Sequence, residues 1–229
     1  CMIPTGIPLH KVMTLAALDA GLHVFVEKPA AGAIQDVREM ADAARKKGLT
    51  VCVGFQDLYN PVNMVLKKAL LGGLIGPLEH IRSVNLQSRD AKYYGRNGWS
   101  GRIRTKDAWV LDSPFNNAVA HELIMMLFLA GSKAQGAVSV ADVEAELYRA
   151  NAVENADTVC ARLRGEGGIP LMFIASHAPD ESLNIMQITG GKGVVTWVRN
   201  KARVTSGGKL LREFVAPAYD EIRSNMLKA

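Results

Sequence analysis

The chain has 229 residues, 48% hydrophobic and 21% charged, with a formal net charge of +5, which is the balance of a globular protein with a core and excludes a disordered or fibrous chain. Its Lys and Arg are scattered rather than gathered into a basic tract interleaved with aromatics, so no nucleic-acid partner is expected. No apolar run approaches the roughly 18 residues of a membrane span, so no membrane partner is expected either.

The chain opens on Cys1-Met2-Ile3-Pro4, which reads as the end of a strand entering a loop. Pro8 can open a helix that continues through Val12, Leu15 and Ala16 and is closed by Gly21. Leu22–Val26 is a buried strand by its β-branched and aromatic run, and it leads into Glu27-Lys28-Pro29. A second helix carries Ile34, Val37, Met40, Ala41 and Ala44 on one face and ends at Gly48; Leu49–Val53 is another apolar strand. Alternating strands and helices over residues 1–58 predict a parallel α/β sheet. No G-x-G-x-x-G turn precedes Lys28 or occurs elsewhere, so this segment lacks the glycine-rich turn that a dinucleotide-binding unit needs.

From Asn60 the pattern changes. Pro61 opens a helix with Val65, Leu66 and Leu70 inward, ended by Gly72-Gly73; Leu78–Arg89 alternates as a long strand. Residues 90–112 form a loop rich in Arg, Tyr, Trp and Gly, followed by an apolar helix over Asn116–Ala130. Strands are expected at Val138–Tyr148, Thr158–Leu163, Ile169–Ser176, Leu183–Thr189, Val194–Val198 and Leu210–Val215, with Gly190-Gly191-Lys192-Gly193 as a hairpin turn. The chain stops at Lys228-Ala229 inside a helical pattern, and the sequence reads as a fragment open at both ends. Cys1, Cys52 and Cys160 are odd in number and widely spaced, which indicates neither a disulfide framework nor a zinc site; no metal is expected.

Three groups of residues can carry chemistry. Lys28 stands at the carboxyl end of a parallel strand, where open α/β sheets present their ligand crevice; the alternative is a solvated lysine in a surface turn. Asn117 and His121, four apart, share one face of an apolar helix, and two buried polar groups there need partners. The alternative is that Asn117 caps a turn and His121 bonds a backbone carbonyl. Tyr94, Arg96, Asn97, Trp99 and Arg102 combine aromatic faces with donors suited to a polyhydroxylated or carboxylated substrate, against the alternative of a solvated loop. His23 and His80 read as structural, and His177 as a weaker candidate for facing the site from the sheet.

Ala20-Gly21-Leu22-His23-Val24 followed by Glu27-Lys28-Pro29 resembles the aGkHVl.EKP signature of the Gfo/Idh/MocA oxidoreductases. Thr5-Gly6-Ile7-Pro8-Leu9-His10 is similar to that family's TPn..H loop, Leu74-Ile75-Gly76-Pro77 resembles its G.iG turn, and Asn117 with His121 stands where it usually has D-x-x-x-H. The resemblance implies a fold of α/β plus α+β class: the C-terminal part of a Rossmann dinucleotide-binding domain over residues 1–58, then a mostly antiparallel sheet domain with helices on one face over residues 59–229. It implies NAD or NADP as cofactor, with Thr5, Gly6, His10, Glu27, Lys28, Pro29 and Gln56 beside it, and Lys28, His121 and Asn117 as catalytic residues at the domain junction. Asn117 replaces the usual aspartate and cannot carry a proton, so it is expected to position while His121 and Lys28 transfer protons. Leu58 stands where many members carry an arginine. The expected reaction is hydride transfer between nicotinamide and a secondary alcohol of a sugar, sugar acid or cyclitol. The competing readings are an NAD-assisted glycosidase of the same family and a non-catalytic binding or assembly module. A cytoplasmic homo-oligomer associating through the C-terminal sheet is expected, with export left open.

Overall fold

A computed structural model of the chain describes residues 1–198, 201–216, 222 and 224–226; the helical pattern at Lys228-Ala229 lies outside them. In chain order the elements are β1 (Met2–Ile3), α1 (Ile7–Asp19), β2 (Val24–Val26), α2 (Ile34–Lys47), β3 (Val51–Val53), α3 (Pro61–Leu71), β4 (Leu78–Leu86), α4 (Ala91–Tyr94) and α5 (Ala120–Ala130). Seven further strands follow: β5 (Val140–Tyr148), β6 (Thr158–Gly165), β7 (Pro170–Ser176), β8 (Leu183–Gly190), β9 (Gly193–Val198), β10 (Lys201–Ser206) and β11 (Lys209–Val215). They pack as two units. The first gathers Cys1–Phe55, Arg89–Ala120 and Arg149–Asp157, and the second gathers Gln56–Ser88, His121–Tyr148 and Thr158–Ala229. Two later excursions of the chain thus join the first unit, where the sequence reading drew one boundary after residue 58.

In the first unit β1, β2 and β3 form a parallel sheet in that order, with Met2 opposite Phe25 and Val24 opposite Val51. Ile3, Val24 and Val26 from the sheet pack with Ala17 and Leu18 of α1 and with Met40 and Ala44 of α2. The inward face of α1 is Ile7, His10, Thr14, Ala17 and Leu18, a 3.6-residue stripe. Val12 is 59% exposed, because it falls on the opposite side of that stripe. The chain leaves α2 through Gly48 at φ 65°, the left-handed conformation that lets a helix end on glycine.

Gly32 is where the loop carrying Trp109 lies directly on the backbone: a Cβ there would sit on the Trp109 carbonyl. Gly32→Ala should therefore destabilise the protein by about 1–3 kcal/mol, since backbone cannot swing aside as a flexible side chain can. A denaturant midpoint equal to wild type would show that this loop moves freely.

The second unit holds an eight-stranded sheet in the order β11-β10-β9-β8-β4-β7-β6-β5. Neighbouring strands are antiparallel except β4 and β7, which run parallel. The turn Gly191-Lys192 joins β8 to β9 through the pair Gly190 and Gly193, the hairpin expected from the sequence. Ile81, Ser83 and Asn85 of β4, Phe173 and Ala175 of β7, Met186 and Ile188 of β8 and Trp197 of β9 are buried. The buried face of α3 is Asn63, Leu66 and Lys67. Val65, expected inward, is 45% exposed. Asn63 and Lys67 displace it because each has partners: the Trp197 indole donates to Asn63 Oδ1 at 3.0 Å, and Lys67 bonds the end of α5.

The helix expected over Asn116–Ala130 is broken. Pro114–Ala118 is a π-helical turn, Val119 has φ −116° and ψ 28°, and α5 begins at Ala120. The regular i, i+4 stacking of Asn117 and His121 therefore does not hold, and the two belong to different units. The strand β10 was not expected at all.

Candidate functional site

Lys28 lies just beyond the carboxyl end of β2 and is half-buried. Its ammonium donates to the backbone oxygen of Asn117 at 2.8 Å and to Asn117 Oδ1 at 2.9 Å. Asn117 is delivered by the π-helical turn, which starts with Ser113 Oγ accepting from the Asn116 amide at 3.1 Å and with Pro114 in the first turn. The other end of the Asn117 carboxamide donates to Asp112 Oδ1 at 2.8 Å, while Asp112 Oδ2 accepts from the Gly101 amide at 2.7 Å. Lys28, Asn117 and Asp112 thus form one hydrogen-bonded line ending in a buried carboxylate. Asp112 was absent from the sequence candidates. An acid just before Ser-Pro reads as a helix cap, but Ser113 takes that role and frees Asp112 to bond Asn117.

Around Lys28 the first unit also presents the loop after β1. Thr5 Oγ1 is buried and has no hydrogen-bond partner, and Gly6 precedes α1 without any side-chain cap. These are a polar atom and helix-end N–H groups available to a ligand. Trp99 lies against Gly6, its indole Nε1 only 2.8 Å from where a Cβ would stand. His10 is 1% exposed, with Nδ1 2.7 Å from the Pro29 oxygen and Nε2 3.0 Å from the Thr5 oxygen. Both ring nitrogens face backbone oxygens, and whichever carries the proton donates to one of them, so His10 ties the loops that carry Thr5 and Lys28 together. The Glu27 carboxylate lies against Gly54.

In the second unit Gln56 Nε2 lies 3.3 Å from His121 Nε2, within hydrogen-bond reach for one tautomer of the ring. His121 is buried at the start of α5. His177 is buried just past the end of β7, in the same unit. His80 is exposed, and His23 Nδ1 accepts from the Thr50 amide at 3.0 Å.

The loop proposed for substrate divides by what each residue touches. Asn97 Oδ1 accepts from Trp99 N, Ser100 N and Ser100 Oγ at 2.8–3.0 Å, so it builds the turn. Tyr94 is half-buried, and burial raises its phenol above the ordinary range. Arg96 donates to the Tyr93 oxygen at 2.7 Å, and its guanidinium stacks 3.5 Å from the Tyr93 ring centre. Arg102 is exposed, with Glu154 at 3.8 Å. Arg96 and Trp99 keep the faces best suited to a ligand.

The cysteines are free thiols. Among the described residues no cluster of His, Cys, Asp and Glu could hold a metal ion, and no helix is long and apolar enough to cross a membrane.

Residues 1–55 match the model of the Gfo/Idh/MocA oxidoreductase family, NAD-binding Rossmann fold. Among curated relatives, inositol 2-dehydrogenase of Klebsiella pneumoniae is 33% identical over 123 residues, 53% of this chain and 32% of that protein. The 1,5-anhydro-D-fructose reductase of Ensifer adhaerens is 36% identical over 74 residues, 32% of this chain and 22% of that protein. The matched stretches thus span a third or less of these relatives. Among solved structures, the WlbA dehydrogenase of Bordetella pertussis, in complex with NADH and UDP-GlcNAcA, has a TM-score of 0.78 at 25% identity, covering 99% of this chain and 62% of that one. Levoglucosan dehydrogenase in complex with NADH and levoglucosan has a TM-score of 0.81 at 21% identity, covering 99% and 68%. These likenesses show the fold over the length of the chain.

Proposed function

Because residues 1–55 belong to the Gfo/Idh/MocA oxidoreductase family, we propose that the protein is an NAD(P)-dependent oxidoreductase. It moves hydride between nicotinamide and a secondary alcohol of a sugar, sugar acid or cyclitol. The observation that carries this reading is the Lys28 ammonium, held by Asn117 at the carboxyl end of a parallel sheet. That is where this class of sheet binds its ligand. The relatives named for inositol, levoglucosan and anhydrofructose support the substrate class.

The bound nicotinamide would supply the hydride acceptor or donor. Thr5 Oγ1 and the backbone at Gly6 would hold its ring end, consistent with the orphaned hydroxyl and uncapped helix start there. Lys28 holds a substrate oxygen by its positive charge, and His121, whose ring type titrates near neutrality, takes or returns the hydroxyl proton. Asn117 keeps the ammonium in place and moves no proton. Trp99 and Arg96 offer an aromatic face and a cation to a sugar ring and its acidic substituents.

The test is incubation of the whole protein with NAD or NADP and a panel of sugars, sugar acids and cyclitols. Accumulation of reduced nicotinamide with one of them is expected. Release of a sugar's substituent without that accumulation would instead favour the glycosidase, and binding without turnover the assembly module. We propose further that the protein is a homo-oligomer through the outward sheet face, where Val84, Ile174 and Ile185 lie side by side in register. A monomeric mass by light scattering would refute that.

A further inference from the structure

The geometry points to Asp112 as a positioning residue that holds the Lys28 ammonium through Asn117. Its chemical purpose rests on the oxidoreductase reading, but the hydrogen bonds do not. Asp112 is 4% exposed, and a carboxylate taken out of water is costly unless bonded or paired. Its two oxygens accept from Gly101 N at 2.7 Å and Asn117 Nδ2 at 2.8 Å, and no ion pair to it is present among the described residues. A charge that answers it, Lys28, stands on the far side of one carboxamide.

That carboxamide has two ends of nearly the same shape and opposite polarity. Turned one way, it offers oxygen to Lys28 and N–H to Asp112, and every contact joins a donor to an acceptor. Turned the other way, it sets N–H₂ against the ammonium and oxygen against the carboxylate. Asp112 therefore selects the orientation that lets Asn117 accept from Lys28, and the two charged ends polarise the amide between them. Asp112 is itself fixed. Gly101 has φ 69°, its oxygen accepts from the Glu154 and Asn155 amides at 3.0 and 2.9 Å, and Asn155 Nδ2 donates to the Asp112 backbone oxygen at 3.2 Å. The loop of residues 149–157 joins the first unit and braces this line. Asn117 in place of the family's usual aspartate thus leaves a negative charge in the site, moved one hydrogen bond away from the ammonium.

Asp112→Asn keeps the shape but leaves one oxygen for two donors, so either Gly101 or Asn117 meets an N–H₂ group. The readout is the titration of Lys28, followed by the NMR resonance of its Cε carbon and assigned with Lys28→Arg. Glu27, adjacent in the chain, is unchanged throughout. Asp112→Asn should lower the Lys28 midpoint by about one pH unit, the size of losing one nearby opposite charge. Adding Asn117→Asp should restore it, because the new carboxylate touches the ammonium directly. A midpoint unmoved by Asp112→Asn, or lowered and not restored, overturns the assignment and leaves Asp112 as a brace for the Gly101 turn. If Asp112→Asn does not fold, wild type decides: the Asn117 side-chain amide resonance should move as Asp112 is protonated in acid, and a fixed resonance overturns the proposal. None of these readouts needs turnover, so a wild-type protein inactive on every sugar alcohol would count against the proposed reaction alone.

Discussion

Lys28→Met should lower turnover of the whole protein by at least about 100-fold, the smaller end of what a positioned acid or base contributes. Methionine keeps the unbranched stem and removes only the ammonium, so loss of packing is a poor explanation for a large effect. The fold should survive, because Lys28 is only half-buried and stands beyond the end of its strand. The loss should fall on kcat more than on KM if the ammonium stabilises charge that develops on the substrate oxygen. His121→Ala should cost a similar factor through loss of the proton acceptor. Initial rates on the best substrate, with circular dichroism to confirm folding, separate the outcomes. Wild-type rates in both variants would remove Lys28 and His121 from the catalytic machinery.

The second large effect is on stability. Lys67 is fully buried on α3, and its ammonium donates to the backbone oxygens of Phe128 and Gly131, where α5 ends. The Phe128 oxygen also accepts from the Gly131 amide at 3.1 Å, and both carbonyls lie at the negative end of the helix dipole, so a buried cation there strengthens the cap. Lys67→Ala should destabilise the protein by about 3–5 kcal/mol, from a cavity and the loss of the ammonium's bonds to two carbonyls. Lys67→Met fills the space and should lose only about 1–3 kcal/mol. Burial pushes the Lys67 pKa down from 10.5 to about 8, while the carbonyls work against that by favouring the ammonium. Between those two values the unfolded chain holds a proton that the folded chain has released. Stability should therefore rise as pH climbs through about 8 towards 10.5. Urea denaturation at several pH values checks this: the rise should be present in wild type and missing in Lys67→Met.

Lys67 also shows where sequence reasoning stops. Lys67 reads as solvent-facing by its charge alone, and Val65 as the core side by its apolar side chain. Only the end of α5, brought close by tertiary packing, makes the lysine the better inward residue. Asn63 is the same case, bought inward by the Trp197 indole. β10 was illegible for a simpler reason: Lys201-Ala202-Arg203-Val204-Thr205-Ser206 has two buried apolar residues in six, Ala202 and Val204, a weak alternation. The signals that did survive were local. Proline and glycine marked the start of α3 and the end of α2, and the Gly190–Gly193 turn was visible because its chemistry is contained in four residues. Of the candidate site, Lys28 and Asn117 were named from the sequence and are bonded to each other. Asp112 was hidden because its role depends on a π-helical turn, which no hydrophobic period announces.

The position of β4 in its sheet has a consequence for how the protein is made. β7 and β8 follow each other in the chain yet never pair; each hydrogen-bonds to β4, one on either side. The middle strand of this sheet is therefore its first to leave the ribosome, and it must wait for both neighbours to be translated. Closing so long a stretch of chain is slow, and until it happens β4 shows two bare edges to every other nascent chain. A ribosome that stalls before Gly190 releases a polypeptide whose sheet has no finished centre.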